Sequence, residues 1–178
     1  MRDDKNNIWI CAQDFPLIRF NPQSKAITGY YYNSAVHEKS WLTKLFQDKK
    51  GTIWLMDNTG LRSLEPGSKT IKWINTSLTR YKSVYAMQQD KHNNYWIGTE
   101  GGGVTILDEQ LKPVEYLKHQ PSIEHSLSSN IIYDIDIGKN QNVFIGTYNA
   151  GINIYEKWSD KFITETAIDN EKFKLSNE

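Results

Sequence analysis

The chain has 178 residues, and its 21 Lys and Arg balance 21 Asp and Glu, which gives a formal net charge of zero. It is long enough to bury one core, and this balance gives no sign of a nucleic-acid or acidic-polymer partner. No segment approaches the roughly 20 apolar residues of a membrane helix, and the first ten residues lack the apolar stretch of a secretory signal. The single cysteine, Cys11, excludes an intrachain disulfide and is expected to be a small buried apolar residue.

Four segments of the chain repeat one pattern: a polar turn, an aromatic residue within an apolar triplet, a small polar turn, and apolar alternation. The segments are DKNNIWICAQDFPLIRFNP from Asp4, DKKGTIWLMDNTGLRSLEP from Asp48, DKHNNYWIGTEGGGVTILD from Asp90 and GKNQNVFIGTYNAGINIYE from Gly138. The central aromatic residues are Trp9, Trp54, Trp96 and Phe144, which follow one another at intervals of 45, 42 and 48 residues. An interval in the mid-forties is typical of a four-stranded propeller blade.

Each repeat predicts four short strands, A to D, in which the repeated segment supplies B and C. Strand A precedes three of the segments, where Leu42, Val84 and Ile132 occupy equivalent positions; strand D follows, as in TIKWIN and PVEYLK. No window sustains a helical apolar period. The expected fold class is all-β: four-stranded sheets packed face to face around an axis as a β-propeller, with Trp9, Trp54, Trp96 and Phe144 as wedges between blades.

The phase of the repeat predicts four units, at residues 1–40, 41–82, 83–129 and 130–178, of which the first lacks strand A. The closing residues Leu175 to Asn177 resemble the LSSN segment at Leu127 to Asn130 that precedes strand A of unit four. We therefore expect about four blades of a longer propeller. An open arc of blades exposes strand edges and an apolar blade face, which predicts self-association.

The stretch DKHNNYWIGTEGGGV resembles the two-component regulator propeller repeat, an Asp followed by a Gly, a Trp, a Gly-Thr and a Gly-Gly at set spacing. The first two segments lack the Gly-Thr, and the first also lacks the later glycine. The resemblance covers nearly the whole chain. It implies a periplasmic sensor domain of a hybrid histidine kinase/response regulator, as in glycan-degrading gut bacteria. Complete proteins of this kind carry two propellers, another β-domain, a membrane helix, and cytoplasmic kinase and DNA-binding parts.

Sequence patterns that could indicate a phosphate, metal or catalytic site are weak. The glycines at Gly101 to Gly103 precede a strand and no Gly-Lys-Ser/Thr follows, so we expect them to form a tight turn and not a phosphate cradle. The same role is expected of Gly60 and Gly151. Asp48 and Asp90 are expected to cap turns, and the four histidines lack metal-ligand spacing. We predict no cofactor, no metal and no enzymatic activity.

Ligands of propellers usually bind at the rim formed by the B-to-C turns and the D-to-A connections. Aromatic rings interleaved with carboxylates and amides on that rim suit the apolar faces and hydroxyls of sugar rings. The candidate residues are Tyr30, Tyr31, Tyr32, Asp57, Asn58, Arg80, Tyr81, Glu100, Tyr148 and Asn149. The alternative for Tyr30 to Tyr32 is that they simply complete strand D.

These patterns favour a sensor segment that detects an oligosaccharide or a partner domain and biases a dimeric histidine kinase. One alternative is a generic propeller scaffold for protein–protein contacts, and another is a propeller lyase or hydrolase. Carbohydrate affinity separates the first two functions, and product formation on polysaccharides would support the third.

Overall fold

A computed structural model describes residues 1–11, 17–32, 42–74, 76–79, 83–123, 125–156 and 161–165. Their strands form four blades. Blade 1 contains β1 (Ile8–Ile10), β2 (Leu17–Phe20) and β3 (Ile27–Tyr32), and blade 2 contains β4 (Leu42–Gln47), β5 (Ile53–Asp57), β6 (Gly60–Leu64) and β7 (Thr70–Ile74). Blade 3 contains β8 (Val84–Gln89), β9 (Tyr95–Thr99), β10 (Val104–Leu107) and β11 (Pro113–Leu117). Blade 4 contains β12 (Ile132–Ile137), β13 (Val143–Thr147), β14 (Ile152–Glu156) and β15 (Lys161–Glu165).

Each blade is an antiparallel meander whose strands follow in chain order. The predicted all-β propeller fold is confirmed, and the three predicted A strands are β4, β8 and β12. At the front of blade 1 the described chain supplies only a bridge between Arg2 and Ile8 at the strand A position. The outer strands β3 and β7 pair in parallel, which joins blades 1 and 2 into one seven-stranded sheet. Among the described residues, no helix is long or apolar enough to cross a membrane.

Hydrophobic residues form a cluster at each of the three junctions between consecutive blades. Trp9, Trp54 and Trp96 are 6%, 4% and 5% exposed and lie on the side of their blade that faces the next blade. The neighbouring residues of each B strand point the other way because side chains alternate along a strand. Phe144, at the same repeat position in blade 4, is 37% exposed. Its role as a wedge between blades stays a prediction.

An aspartate anchors the A-to-B turn of blades 1, 2 and 3. Asp48 Oδ1 accepts hydrogen bonds from the Lys50 and Thr52 amides, and its Oδ2 accepts one from Trp54 Nε1 at 2.9 Å. Asp90 makes the equivalent bonds, including one from Trp96 Nε1 at 3.3 Å. The predicted capping role of both aspartates is therefore confirmed.

In blade 1 this position is held by Asp3 and not by Asp4, from which the repeat was aligned. Asp3 Oδ1 accepts bonds from the Lys5 and Asn7 amides, and Oδ2 accepts from Trp9 Nε1 at 2.8 Å. The carboxylate thus stands six residues before the tryptophan in all three blades, which shifts the first repeat by one residue. The partial burial of Asp3 raises its pKa, but the hydrogen bonds from Asn7, Trp9 and Lys5 outweigh it and leave the pKa below its ordinary value.

A glutamine side chain from the following blade accepts a hydrogen bond from a backbone amide of the same turn. Gln47 Oε1 accepts a bond from the Asp4 amide at 2.8 Å, and Gln89 Oε1 accepts one from the Lys49 amide at 2.9 Å. In blade 4 the acceptor for the Lys91 amide is Gln141. Each junction therefore combines an apolar cluster with one side-chain hydrogen bond to a turn amide of the preceding blade.

Candidate functional site

The rim is the end of the blades that carries the B-to-C turns and the D-to-A connections. In blades 3 and 4 the connection that leads into β12 runs between two B-to-C turns. The Ile131 carbonyl accepts a bond from the Tyr148 amide at 3.0 Å, and Ile131 also forms a β-bridge with Glu100. The Glu100 amide donates to the Ser83 carbonyl at 3.1 Å. These backbone bonds hold Glu100 and Tyr148 in fixed positions on the same part of the rim.

All three glycine amides of the turn between β9 and β10 donate hydrogen bonds within the protein. The Gly101 and Gly103 amides both donate to the Asn130 carbonyl oxygen at 2.9 Å, and the Gly102 amide donates to Thr99 Oγ1. Gly101 and Gly103 have positive φ values of 108° and 74°. Gly60 and Gly151 also have positive φ values, of 147° and 74°. The prediction that these glycines build turns is confirmed.

Three tyrosine rings form a continuous row, here called the tyrosine row, on the rim of blades 3 and 4. The rings of Tyr85 and Tyr133 are stacked, with centroids 5.7 Å apart and an interplanar angle of 10°. Tyr148 meets Tyr133 edge to face, with centroids 5.8 Å apart. Tyr133 and Tyr148 are 51% and 48% exposed, whereas Tyr85 is half-buried. The row therefore presents two aromatic surfaces to solvent on a fixed base.

Tyr85 and Tyr133 were missed by the sequence analysis, although both occupy the second position of a strand A. The pairing register of each strand shifts across this position, between Val84 and Ala86 and between Ile132 and Asp134. Such a bulge re-aims a side chain at a sheet edge. The repeat alignment itself contained the signal, because it places two tyrosines at equivalent positions of neighbouring blades.

Glu100 completes this part of the rim. Its exposed side chain lies next to the Tyr85 hydroxyl. Partial burial of Tyr85 and the interaction of its hydroxyl with the nearby Glu100 carboxylate raise the pKa of the Tyr85 hydroxyl. Tyr85 is therefore a neutral donor at physiological pH, and the exposed carboxylate retains capacity to accept hydroxyl hydrogen bonds from a ligand.

Two predicted ligand contacts lie in the interior instead. Asp57 is 0% exposed, caps the β5–β6 turn through the Thr59 and Gly60 amides, and pairs with Arg62. Tyr30 is 5% exposed and packs against Trp9 with ring centroids 5.2 Å apart. The sequence prediction is corrected for both: Asp57 stabilises a turn, and Tyr30 is a core residue that completes strand D.

The other candidates are distributed unevenly. Asn58 and Asn149 are exposed in B-to-C turns, and Asn149 has a φ of 54°. Tyr31 is 67% exposed but pairs with Thr70, at the end of blade 2 opposite to the rim. Tyr32 lies in β3, while its side chain is outside the described part of the structure, as are Arg80 and Tyr81.

In the described residues, no group of three or more His, Cys, Asp or Glu side chains has the arrangement of a metal site.

The family model described as the two-component regulator propeller matches residues 80–101. This match covers β8, β9 and the turn between them in blade 3, and it includes Tyr85, Trp96 and, just after β9, Glu100. The predicted resemblance to this repeat is confirmed. The comparison with curated proteins finds no match.

Solved propellers resemble the whole chain at low sequence identity. The extracellular domain of the hybrid two-component system BT4673 from B. thetaiotaomicron aligns with a TM-score of 0.73 and 17% identity over 96% of this chain. The corresponding domain of BT3049 from the same organism gives 0.75 and 19% over 92%. The chain spans 25% and 22% of those two domains. Virginiamycin B lyase from Staphylococcus aureus gives 0.68 and 16% over 95% of this chain and 55% of the enzyme.

Proposed function

We propose that this propeller segment is a non-enzymatic, extracytoplasmic sensor module of a two-component signalling protein, and that its rim binds an oligosaccharide. The match to the regulator propeller repeat and the fold shared with extracellular domains of hybrid two-component systems support the sensor role. The observation that carries the ligand class is the tyrosine row beside Glu100. Rings half exposed on a rigid base stack against the apolar faces of sugar rings, and a carboxylate accepts their hydroxyl hydrogen bonds.

Ligand binding becomes a signal only if the ligand favours one arrangement of the receptor over another. The exposed rings of the row, Tyr133 and Tyr148, belong to blade 4, and the exposed Glu100 beside them belongs to blade 3, so a sugar bound between them contacts both blades. In a dimeric histidine kinase such contact would bias the relative position of the two blades. We therefore propose that the sensed event occurs at a blade junction and that phosphotransfer occurs in other parts of the receptor.

The rim site is tested by a glycan array followed by calorimetry with the sugar that binds most tightly. We expect Tyr133→Ala to weaken that affinity about tenfold or more, since an aromatic contact and its buried area are lost. Glu100→Gln removes the charge and should weaken it less. Tyr31→Ala is the matched control, because this tyrosine is also exposed, at 67%, but lies away from the row. Absence of carbohydrate affinity in the folded protein would overturn the proposal.

We also propose that the isolated segment self-associates through its end blades. The outer faces of blades 1 and 4 expose Ile10, Ile27, Phe144 and Ile152, at 48%, 72%, 37% and 46%. Their burial between copies would remove apolar surface from water. Light scattering at micromolar concentration should give a mass above that of a monomer, and Phe144→Glu should lower it. A monodisperse monomer for the unaltered chain would contradict this expectation.

A further inference from the structure

A polar cleft lies between blades 1 and 2 at the end of the blades opposite to the rim. Its volume is about 200 Å³, and its walls include the A-to-B turns of both blades and the β6–β7 turn. Trp9, Arg19 and Tyr30 form the wall on the side of blade 1. The tyrosine row lies on blades 3 and 4 at the other end, so the cleft is a separate site.

Arg19 is unusual for its place in the repeat. It pairs with Trp9 across the strands β1 and β2, just as Ile106 pairs with Trp96 in blade 3. Ile106 is 5% exposed and belongs to the core between blades, whereas Arg19 is half-buried and charged. Its guanidinium lies 6.0 Å from the ring centroid of Trp9 and 5.8 Å from that of Tyr30. The two rings therefore hold a cation where another blade has an apolar side chain.

The carboxylates that line the cleft are already engaged. Asp3 accepts four hydrogen bonds inside its turn, including those from Asn7 and Trp9. Asp4 Oδ1 accepts a bond from Gln47 Nε2 at 2.9 Å. Glu65 pairs with Lys72 at 2.9 Å. None of the three reaches Arg19 in the described residues.

Two of the four cationic side chains that line the cleft have a hydrogen-bond or ion-pair partner. Lys49 Nζ donates to the Asp90 carbonyl at 2.7 Å, and Lys50 pairs with Glu109 at 2.8 Å. Within the described ranges, the side chains of Arg19 and Lys5 have neither a hydrogen bond nor an ion pair. The cleft therefore has a surplus of positive donors, one of them with its orientation fixed by two aromatic rings.

We propose that this cleft binds an oxyanion, a carboxylate, sulfate or phosphate group, with Arg19 as its principal donor. The planar fork of a guanidinium donates two parallel hydrogen bonds to two oxygens of such a group. Lys5, exposed on the A-to-B turn of blade 1, adds a second positive charge. The adjoining rings of Trp9 and Tyr30 restrict the guanidinium before the ligand arrives, so less side-chain entropy is lost on binding.

The proposal is tested by titrating the 178-residue chain with sodium sulfate, phosphate or acetate, followed by NMR or calorimetry. Sodium chloride at equal ionic strength is the reference. We expect saturable binding of at least one oxyanion and none of chloride, and the ranking of the three probes identifies the preferred group. Arg19→Gln should weaken that binding tenfold or more, and Arg19→Lys, which keeps the charge but loses the fork, should weaken it by a smaller factor.

Arg2→Gln is the matched control, because it removes one positive charge from blade 1 outside the cleft, and it should leave the affinity unchanged. If Arg19→Gln fails to fold, as judged by circular dichroism, Lys5→Gln replaces it, since that side chain is exposed, and about a threefold loss is expected. Equal affinity of the unaltered chain and the cleft variants, or equal responses to chloride and the oxyanions, would overturn the proposal. Tyr133→Ala should not affect oxyanion binding, so this site and the rim site are tested independently.

Discussion

Replacement of Asp48 by alanine should lower the free energy of unfolding by about 3–5 kcal/mol. Asp48 is 5% exposed, and four donors converge on its carboxylate. They are the Lys50 and Thr52 amides, Trp54 Nε1 and, from blade 3, the Tyr95 hydroxyl at 2.9 Å. Alanine leaves these donors without a partner, three of them on the buried residues Thr52, Trp54 and Tyr95, and desolvated donors cost more than the bonds contributed.

The Tyr95 bond makes this aspartate a link between two blades as well as a turn cap. Burial of Tyr95 and its bond to the Asp48 carboxylate raise the pKa of the Tyr95 hydroxyl above its ordinary value, which keeps it a donor. We therefore expect Asp48→Ala to loosen the junction of blades 2 and 3, where Trp54 and Tyr95 pack with ring centroids 5.3 Å apart.

Urea unfolding followed by tryptophan fluorescence measures the effect of Asp48→Ala. Asp108→Ala is the matched control, because Asp108 also caps a turn through two amides, those of Gln110 and Lys112, but among the described residues it accepts no bond from another blade. Asp108→Ala should lower the free energy of unfolding by about 1 kcal/mol. Asp48→Asn should fall between the two, since the amide keeps one acceptor oxygen. Equal losses for Asp48→Ala and Asp108→Ala would refute the role of Asp48 as a link between blades.

Gly103→Ala should have the second largest effect on stability and should lower the free energy of unfolding by about 3 kcal/mol or more. A Cβ atom built at Gly103 would lie 2.2 Å from the Leu117 carbonyl oxygen, and this backbone atom cannot move without distorting β11. The residue also has a φ of 74°, in the left-handed region that side chains disfavour. Steric overlap and backbone strain therefore act together.

Gly67→Ala separates these two effects. Gly67 has a φ of 79°, close to that of Gly103, but a Cβ there would have nothing within 4 Å. This variant should lose only the cost of the left-handed backbone, about 1 kcal/mol. Thermal unfolding of both variants measures the difference. If the two losses were the same, overlap with the Leu117 carbonyl would not matter. Gly103→Ala should in addition weaken ligand binding at the rim, because the Gly103 amide holds Asn130 beside the tyrosine row.

Much of the fold could be predicted from the sequence because the residues within each repeat specify its strands and turns. The A strands begin at Leu42, Val84 and Ile132, which the alignment puts at equivalent positions, because alternation of apolar and polar residues specifies a strand and its buried face. The first turn was misaligned by one residue. Asp3 and Asp4 are adjacent carboxylates, and only the hydrogen bond from Trp9 distinguishes them.

The candidate site was predictable only in part. Glu100 and Tyr148 were predicted from their place in B-to-C turns, and both lie in the rim site. Asp57 was predicted by the same rule but is buried by its bonds to the turn amides and Arg62. Tyr85 and Tyr133 lie in strands, and what brings their rings together is the packing of blade 3 on blade 4.

The sequence by itself determined the strand pattern, the number of blades and the turns that need glycine, because these depend on residues within one repeat. Only the tertiary structure decided which polar side chains are buried, which aromatic rings meet, and that Arg19 faces a cleft without a carboxylate partner among the described residues. The tyrosine row and the cleft between blades 1 and 2 depend on the packing of one blade against the next, as in the Tyr85–Tyr133 stack. Local pattern carries no information on such contacts until the blades are packed.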